Sequence, residues 1–269
     1  MSAPSSVQPW ALILGASSGF GGATAQELAR HGFHIAGVHL DRKATLVNVE
    51  QIVQRIQQTG RQAKFFNINA ADLEKRKEVL DQLEPLLKGS QPPGQIMVVL
   101  HSLAFGTLKP YVTAEPKDAL TQDQMDMTLD VMANSLVYWV QDLFYRKLIG
   151  PGSRIFSMTS SGGQRVWPNY GAVSAAKAAL ESHMRQLAME LAPHGITANT
   201  IRAGVTNTPA LRKIPGSEQM MEFAKIRNPH HRLTTPEDVA RAIAALSNSQ
   251  TQWLTGNVIG VDGGEDIVG

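Results

Sequence analysis

Trp10-Ala-Leu-Ile-Leu14-Gly15-Ala-Ser-Ser-Gly19-Phe-Gly21 is the stretch that decides the fold of this chain. Five apolar residues run straight into a turn with glycines at 15, 19 and 21, and Thr24 to His31 then reads as a helix closed by Gly32. An uninterrupted apolar run is the pattern of a parallel strand buried on both faces. Gly15 permits a tight strand-to-helix turn, and Gly19 and Gly21 let backbone approach a pyrophosphate and pack the helix closely. The helix N-terminus offers free N–H groups and the positive end of a dipole to phosphates. Glycines at this spacing are a weak signal alone, because a glycine-rich turn can bind nothing. Placed directly after a first strand they point to a dinucleotide.

Working outward, strand and helix patterns alternate. Ile35–Leu40, Gln62–Ile68, Gln95–His101, Ser153–Thr159, Ile196–Ile201 and Asn257–Val261 read as further strands. Helical patterns cover Leu46–Gln58, with Gly60 as its stop, and Ala71–Leu87, Gln122–Leu148 and Tyr170–Leu191. Thr235-Pro-Glu-Asp238 starts another helix, with a capping Thr, Pro in the first turn and early acids. No repeat, low-complexity block or composition shift marks a second domain. The expected fold is α/β: a Rossmann-type, doubly wound parallel sheet of about seven strands with helices on both faces. Residues 1–9 are expected to be a disordered or extended lead, and residues 10–269 a single dinucleotide-binding domain.

Composition sets bounds on function. A chain of 269 residues with 43% apolar and 18% charged side chains is that of a globular enzyme and not of a disordered chain. No stretch approaches the ~20 apolar residues of a membrane span, and the start lacks the basic region and apolar run of a secretory signal. The chain has no cysteine, so disulfides and thiolate chemistry are excluded, and a cytoplasmic location fits. A net charge of +2 is too small to argue for nucleic acid. His230 and His231 lack a carboxylate cluster at ligand spacing, so no metal site is expected.

In mid-chain, Asn169-Tyr-Gly-Ala-Val-Ser-Ala-Ala-Lys177 places six residues between Tyr170 and Lys177. With the glycine turn and the later Gly204…Thr208 segment, this pair resembles the short-chain dehydrogenase/reductase family over nearly the whole chain, from about Trp10 to Gly264. In the commoner branch of that family, which interconverts ketones and alcohols, three residues separate Tyr from Lys; that position here is Val173, which cannot donate a proton. The longer spacing resembles enoyl-acyl-carrier-protein reductases, as does His101-Ser-Leu-Ala-Phe105 after the fourth strand. The resemblance implies reduction of the 2,3 double bond of a carrier-protein-bound enoyl thioester, in fatty-acid synthesis, by hydride transfer from NAD(P)H. Hydride reaches the β-carbon while charge appears on the more distant thioester oxygen. A tyrosine about one helical turn farther along the same face can stabilise that oxygen.

Three catalytic residues follow from the resemblance. Tyr170 stabilises the enolate, and Lys177 holds the nicotinamide ribose and adds positive potential near it. Ser160 stands where the commoner branch has a catalytic serine and many enoyl reductases a second tyrosine; a smaller group of enoyl reductases combines serine there with the long spacing. Ser160 could bond the substrate oxygen or merely pack at the strand end. Asn134 falls at a relay asparagine of the commoner branch, or is a satisfied helix asparagine. Cofactor contacts carry over to Gly15, Ser17, Ser18, Gly19, Phe20 and Gly21 in the turn, and to Asn69 and Ala70 beside adenine. Ser102, Leu103 and Ala104 fall near the ribose, Lys177 on the nicotinamide ribose and Thr208 on the carboxamide. Where an acid usually binds the adenosine ribose the chain has His39, followed by Leu40 and Asp41-Arg42-Lys43. Arg42 and Lys43 tilt the expectation to NADPH, Asp41 argues for NADH, and the two cations could equally be a solvated helix start.

Residues 209–232 are expected to cover the substrate, with Ala210, Leu211, Ile214, Met220, Met221, Phe223 and Ile226 suited to an acyl chain. Arg212, Lys213, Lys225 and Arg227 could meet an acidic carrier protein, or be an ordinary solvated face. The resemblance implies a homotetramer, with the helices at Gln122–Leu148 and Tyr170–Leu191 in the contacts. Two other readings compete: a 3-oxoacyl thioester or other ketone reductase of the same fold, and a non-catalytic dinucleotide-binding sensor or scaffold.

Overall fold

Leu12, Ile13 and Leu14 have no exposed surface, as the uninterrupted apolar run requires of a strand covered on both faces. In the computed structural model, which describes residues 7–268, that strand, β1 (Gln8–Leu14), lies inside a seven-stranded sheet. The other strands are β2 (His34–His39), β3 (Ala63–Asn67), β4 (Gly94–His101), β5 (Arg154–Thr159), β6 (Thr197–Ala203) and β7 (Val258–Val261). They pair in the order β3-β2-β1-β4-β5-β6-β7, every pair parallel.

Alternate residues of each strand feed two apolar cores. On one face Leu12, Leu14, Val99 and Ile155 pack with Leu80 and Leu83 of α3 (Leu73–Lys88), Leu136 and Trp139 of α5 (Ser135–Tyr145) and Leu180 of α6 (Gly171–Leu191). On the other, Ala11, Ile13, Phe156 and Ile201 meet Leu28 of α1 (Gly19–Arg30), Ile52 and Ile56 of α2 (Leu46–Gln58), and Val239 and Ile243 of α8 (Pro236–Leu246). Helix α8 starts as its sequence requires: Thr235 and Asp238 close a reciprocal capping box with Pro236 in the first turn.

Several boundaries differ from those expected. Gln8 and Pro9 belong to β1, paired with Gly94 and Gln95, so the expected loose lead is shorter; residues 1–6 lie outside the described residues. Helix α1 begins at Gly19, five residues before Thr24, because the last glycines of the turn already form the first helical turn. The helix expected over 122–148 is broken. Helix α4 (Gln122–Leu129) passes into a wide π turn, Asp130–Asn134, before α5, which ends at Tyr145. Two hydroxyls accompany the break: Thr128 donates to the Gln124 carbonyl at 2.7 Å and Ser135 to Val131 at 2.9 Å. Side-chain competition for carbonyls four residues back loosens and bends helices.

Because β1 neighbours both β2 and β4, the chain leaves the sheet in opposite directions at this seam. The crevice beyond the carboxyl ends of these strands is where open α/β sheets bind ligands.

Candidate active site

The crevice floor is made of backbone. Gly15 has φ +93°, and a Cβ there would lie 2.5 Å from the Ser102 carbonyl oxygen at the exit of β4. A Cβ at Gly21 would overlap the Gly15 carbonyl oxygen. Ser18 precedes α1 in extended conformation and makes no side-chain cap, leaving the first-turn N–H groups for a ligand. Thr208 closes the cradle from the β6 side, its methyl 3.5 Å from where a Gly19 Cβ would stand. Its Oγ1 accepts from the Leu211 N–H at 3.1 Å, which leaves the hydroxyl hydrogen free to donate. A glycine-lined helix start with unused N–H groups fits the pyrophosphate of a nicotinamide dinucleotide.

The remaining cofactor candidates lie around the same edge. Ala70 is buried, its carbonyl accepting from Trp139 Nε1 at 2.8 Å, and exposed Asn69 accepts from the Ala71 N–H at 3.1 Å. Ser102 donates its N–H to Leu14 O at 2.8 Å, Leu103 packs on the core, and Ala104 is exposed. Phe20 packs against the α1–α2–α8 core, so its turn position serves packing. Asp41 hydrogen-bonds His39 Nδ1 at 3.0 Å. Burial pushes its carboxyl pKa up, but hydrogen bonds from Thr45, Ser17 and His39 outweigh that and hold it below the usual value. Asp41 is thereby tied to Ser17 of the glycine turn, whereas the Arg42 and Lys43 side chains are exposed and make no ion pair among the described residues.

The candidate catalytic groups converge at the start of α6. Tyr170 is its N-cap residue, two helical turns before Lys177 on the same face. Burial raises the Tyr170 pKa, opposed by a hydrogen bond with the Ser160 side chain, so the phenol keeps its proton at neutral pH. Gly162 makes room for the pair: a Cβ there would be 2.6 Å from the Tyr170 ring and 3.2 Å from Ser160 Oγ. Val173, at the position of the ketone-reducing tyrosine, is buried among Val131, Met132 and Ala176.

Lys177 is 6% exposed and donates to the Met158 carbonyl at 2.7 Å. Burial brings its pKa down to about 8, with Glu181 one turn along the helix pulling upward. Glu181 is buried and accepts from Thr159 Oγ1 at 2.7 Å. His101 lies nearby with no exposed surface. Burial first, then the Lys177 charge, lower its pKa to about 3, so it is neutral. Since the Ser135 hydroxyl donates to Val131, its oxygen accepts from His101 Nε2–H at 3.0 Å. The His-Ser segment after β4 thus reaches the π turn. Asn134 bonds His183 of α6 at 3.0 Å, a satisfied helix asparagine.

Sequence reasoning passed over Tyr111, whose ring comes down on Gly171, next to Tyr170: a Cβ at Gly171 would be 2.5 Å from its Cζ. The sequence signal for it was the glycine directly after Tyr170.

Residues 15–265 match the family described as enoyl-(acyl carrier protein) reductase. The chain belongs to that branch of the short-chain dehydrogenase/reductases. Within the family it is 29% identical over 258 residues to an uncharacterized oxidoreductase, YjdA, of Bacillus subtilis, spanning 94% of this chain and 95% of that one. The solved enoyl-[acyl-carrier-protein] reductase (NADH) of Aquifex aeolicus shares 26% identity, covers 97% of each chain and superposes with a TM-score of 0.80. A solved promiscuous reductase, LugOII, described as catalysing keto-reduction at C1 in lugdunomycin biosynthesis, shares 28% identity over 97% of this chain and 98% of its own, with a TM-score of 0.81. The chain is therefore an oxidoreductase of this family. Among the described residues there is no group of His, Asp and Glu placed to hold a metal, and no helix long and apolar enough to cross a membrane.

Proposed function

We propose that the protein reduces the 2,3 double bond of enoyl thioesters. One observation carries this reading: the phenol stands at the N-cap of α6 while the position one turn nearer Lys177 is the buried Val173. A bound reduced nicotinamide would supply the hydride to the β-carbon, and the enolate then takes a proton at its α-carbon from the Tyr170 hydroxyl or from water, which completes the reduction. The protonated Tyr170 hydroxyl donates to the thioester oxygen as the electron pair moves onto it, and a donor aimed at developing charge in a water-poor site is the strongest single aid to such a step. Lys177 leaves Met158 or shares its protons with the nicotinamide ribose, and its charge favours the enolate. Ser160 orients the Tyr170 hydroxyl.

Thr208 would hold the carboxamide, and Gly15, Ser17, Ser18, Gly19 and Gly21 the pyrophosphate. The Asp41 geometry favours NADH, in contrast to the NADPH that Arg42 and Lys43 suggest by sequence. A 2′-phosphate set between Ser17 and the strand end meets a carboxylate, whereas ribose hydroxyls meet an acceptor.

Helix α7 (Ser217–Arg227) belongs to the expected covering segment, and it exposes Phe223 and Ile226 beside Met221, a face fit for an acyl chain. The carrier-protein role of the basic residues is narrowed. Arg212 bonds Asn207, Lys225 pairs with Glu222 and Arg227 with Glu265, which leaves Lys213. A carrier-protein substrate, fatty-acid synthesis, a cytoplasmic site and a homotetramer contacting through α4–α6 complete the reading by family likeness.

The Ser160–Tyr170 hydrogen bond and the keto-reducing LugOII support a second reading, ketone reduction. Initial rates of NADH and NADPH oxidation with crotonyl and acetoacetyl thioesters in parallel separate the two. Turnover of crotonyl alone is expected; turnover of acetoacetyl alone sinks the proposal, and cofactor binding with neither substrate turned over supports a silent binding protein.

A further inference from the structure

Glu265, just beyond the Gly263-Gly264 turn, is a carboxylate with 3% of its surface exposed and no part in the chemistry above. The turn uses left-handed glycines, φ +63° and +85°, to fold the chain back beneath the site. One carboxylate oxygen accepts from the Val205 N–H at 3.0 Å; the other lies 3.7 Å from Arg227 Nη2, at the last residue of α7. Burial raises its pKa, against which Val205 and Arg227 pull down.

The two partners belong to segments with different tasks. Val205 is the second residue of the 204–208 stretch, which ends at Thr208, against Gly19 of the glycine turn. That stretch has little freedom at its root, since a Cβ at Gly204 would collide with Thr234 Oγ1 and lie 3.0 Å from Asp262 Cα. Arg227 ends α7, the helix that the proposed function gives to the acyl chain, with Phe223 and Ile226 exposed on it. Its Nε is buried with no hydrogen-bond partner, so Glu265 is its one ion-pair partner among the described residues. Asn228 anchors the same helix end, donating to the Asp262 carbonyl at 2.8 Å. The neighbouring Asp266 pairs instead with Arg165 and Arg202, at 3.0 and 3.1 Å, leaving Glu265 to the two site segments.

We propose that Glu265 is a positioning residue that couples dinucleotide binding at the 204–208 segment to the ordering of the substrate-covering helix α7. The proposal rests on the dinucleotide reading of the glycine turn and Thr208, and not on which thioester is reduced. A dinucleotide held by Thr208 fixes Val205, Val205 fixes the carboxylate, and the carboxylate fixes Arg227 and the end of α7. A missing charge in that chain uncouples the helix without emptying the cofactor site.

The test is amide hydrogen exchange of residues 217–227 in the full-length protein, with and without saturating NADH, alongside NADH titration by fluorescence. In the unaltered protein NADH is expected to slow exchange in α7 at least fivefold. Glu265→Gln keeps an acceptor for the Val205 N–H and removes the charge facing Arg227. It is expected to bind NADH within threefold of the unaltered protein while losing the α7 protection. Arg227→Met should lose the same protection, and the double variant should lose no more than either single one. With a thioester that is turned over, KM should rise five- to tenfold with kcat within twofold, a split that mere destabilisation does not give. Should Glu265→Gln fail to fold, Arg227→Met carries the test alone. Unchanged α7 protection in either variant overturns the coupling, as does additive loss in the double variant. Absence of NADH binding to the unaltered protein overturns both this proposal and the dinucleotide reading. Binding with α7 protection but no thioester turnover leaves the coupling standing and removes the substrate assignment.

Discussion

Replacing Lys177 by Met should make the protein more stable at neutral pH while destroying its activity. Burial lowers the Lys177 pKa from 10.5 to about 8. At about 1.4 kcal/mol per pH unit, holding the charged form in the folded protein costs about 3 kcal/mol. Below pH 8 the lysine is protonated in both folded and unfolded states, and the whole penalty is present. Between 8 and 10.5 the folded protein releases its proton and the unfolded chain keeps its own, so stability rises with pH across that window. Met removes the penalty but forfeits the bond to the Met158 carbonyl, a loss of about 1 kcal/mol. The variant should therefore exceed the unaltered protein by about 2 kcal/mol at pH 7. At pH 9.5, where less than half of the penalty is left, the two should be nearly equal. Urea unfolding of both proteins at the two pH values measures the difference, in which the titrations of groups not coupled to Lys177 cancel. A less stable variant at pH 7, or a difference independent of pH, would refute the argument that Lys177 is a charge held against its own burial. Turnover of the variant should be lower by at least ~100-fold if the cation serves the reacting oxygen as proposed.

Tyr170→Phe should lower kcat by about 100- to 1,000-fold and leave the NADH dissociation constant within twofold, as stopped-flow rates and fluorescence titration report; unchanged kcat would remove the phenol from the reaction. Gly21→Ala and Gly22→Ala lie side by side in α1 and should part company. The first drives a Cβ into the Gly15 carbonyl oxygen and should abolish dinucleotide binding. The second meets the side-chain tip of Ile52, Cδ1, at 2.9 Å and backbone no nearer than the Ala16 carbonyl oxygen at 3.4 Å, and a helix-propensity gain of about 1 kcal/mol offsets the strain; calorimetry and titration of the pair check this. Asp41→Ala should shift the NADPH-to-NADH ratio of kcat/KM toward NADPH by about tenfold, the equivalent of ~1.4 kcal/mol, and an unmoved ratio would take Asp41 out of cofactor selection.

What the sequence discloses here is what depends on near neighbours. The apolar run into Gly15, the bounds of α2 and the capping of α8 by Thr235 and Asp238 are local patterns, and each appears in the structure at or near its expected place. The break in the helix over 122–148 is not local in cause. Its Ser135 hydroxyl is tied to His101, 34 residues earlier in the chain, and nothing in the amphipathic spacing announces that partner. Tyr111 over Gly171 and Glu265 between Val205 and Arg227 are hidden for the same reason, since each joins segments far apart in sequence. The direction of Asp41 was equally unreadable: Asp-Arg-Lys is a mixed-charge string until Ser17 and His39 show which member turns inward.

The Tyr–Lys spacing, in contrast, carries three-dimensional information directly, because a helix converts residue number into distance and direction. Seven steps of a 3.6-residue helix return almost to the starting direction, so Tyr170 and Lys177 share a face of α6, and Val173, three residues from one and four from the other, lies between them on that face, packed with Val131, Met132 and Ala176. At 1.5 Å of rise per residue, moving the phenol from position 173 to 170 carries it about 4.5 Å along the axis away from the lysine. The lysine keeps its own place along α6, its ammonium donating to the Met158 carbonyl at 2.7 Å. In the proposed mechanism, cofactor anchor and oxygen-binding donor are thus set farther apart than a single carbonyl requires. A conjugated substrate, whose oxygen lies beyond the carbon that accepts hydride, spans such a gap. Returning the phenol, as Tyr170→Phe with Val173→Tyr, should not simply convert one activity into the other. The new ring must enter a cluster in which a Cβ added at Gly106 would already lie 2.9 Å from Val173, and overpacking of that kind costs about 1–3 kcal/mol. Recovery of acetoacetyl reduction with no fall in melting temperature would show that the pocket around Val173 is looser than its packing indicates.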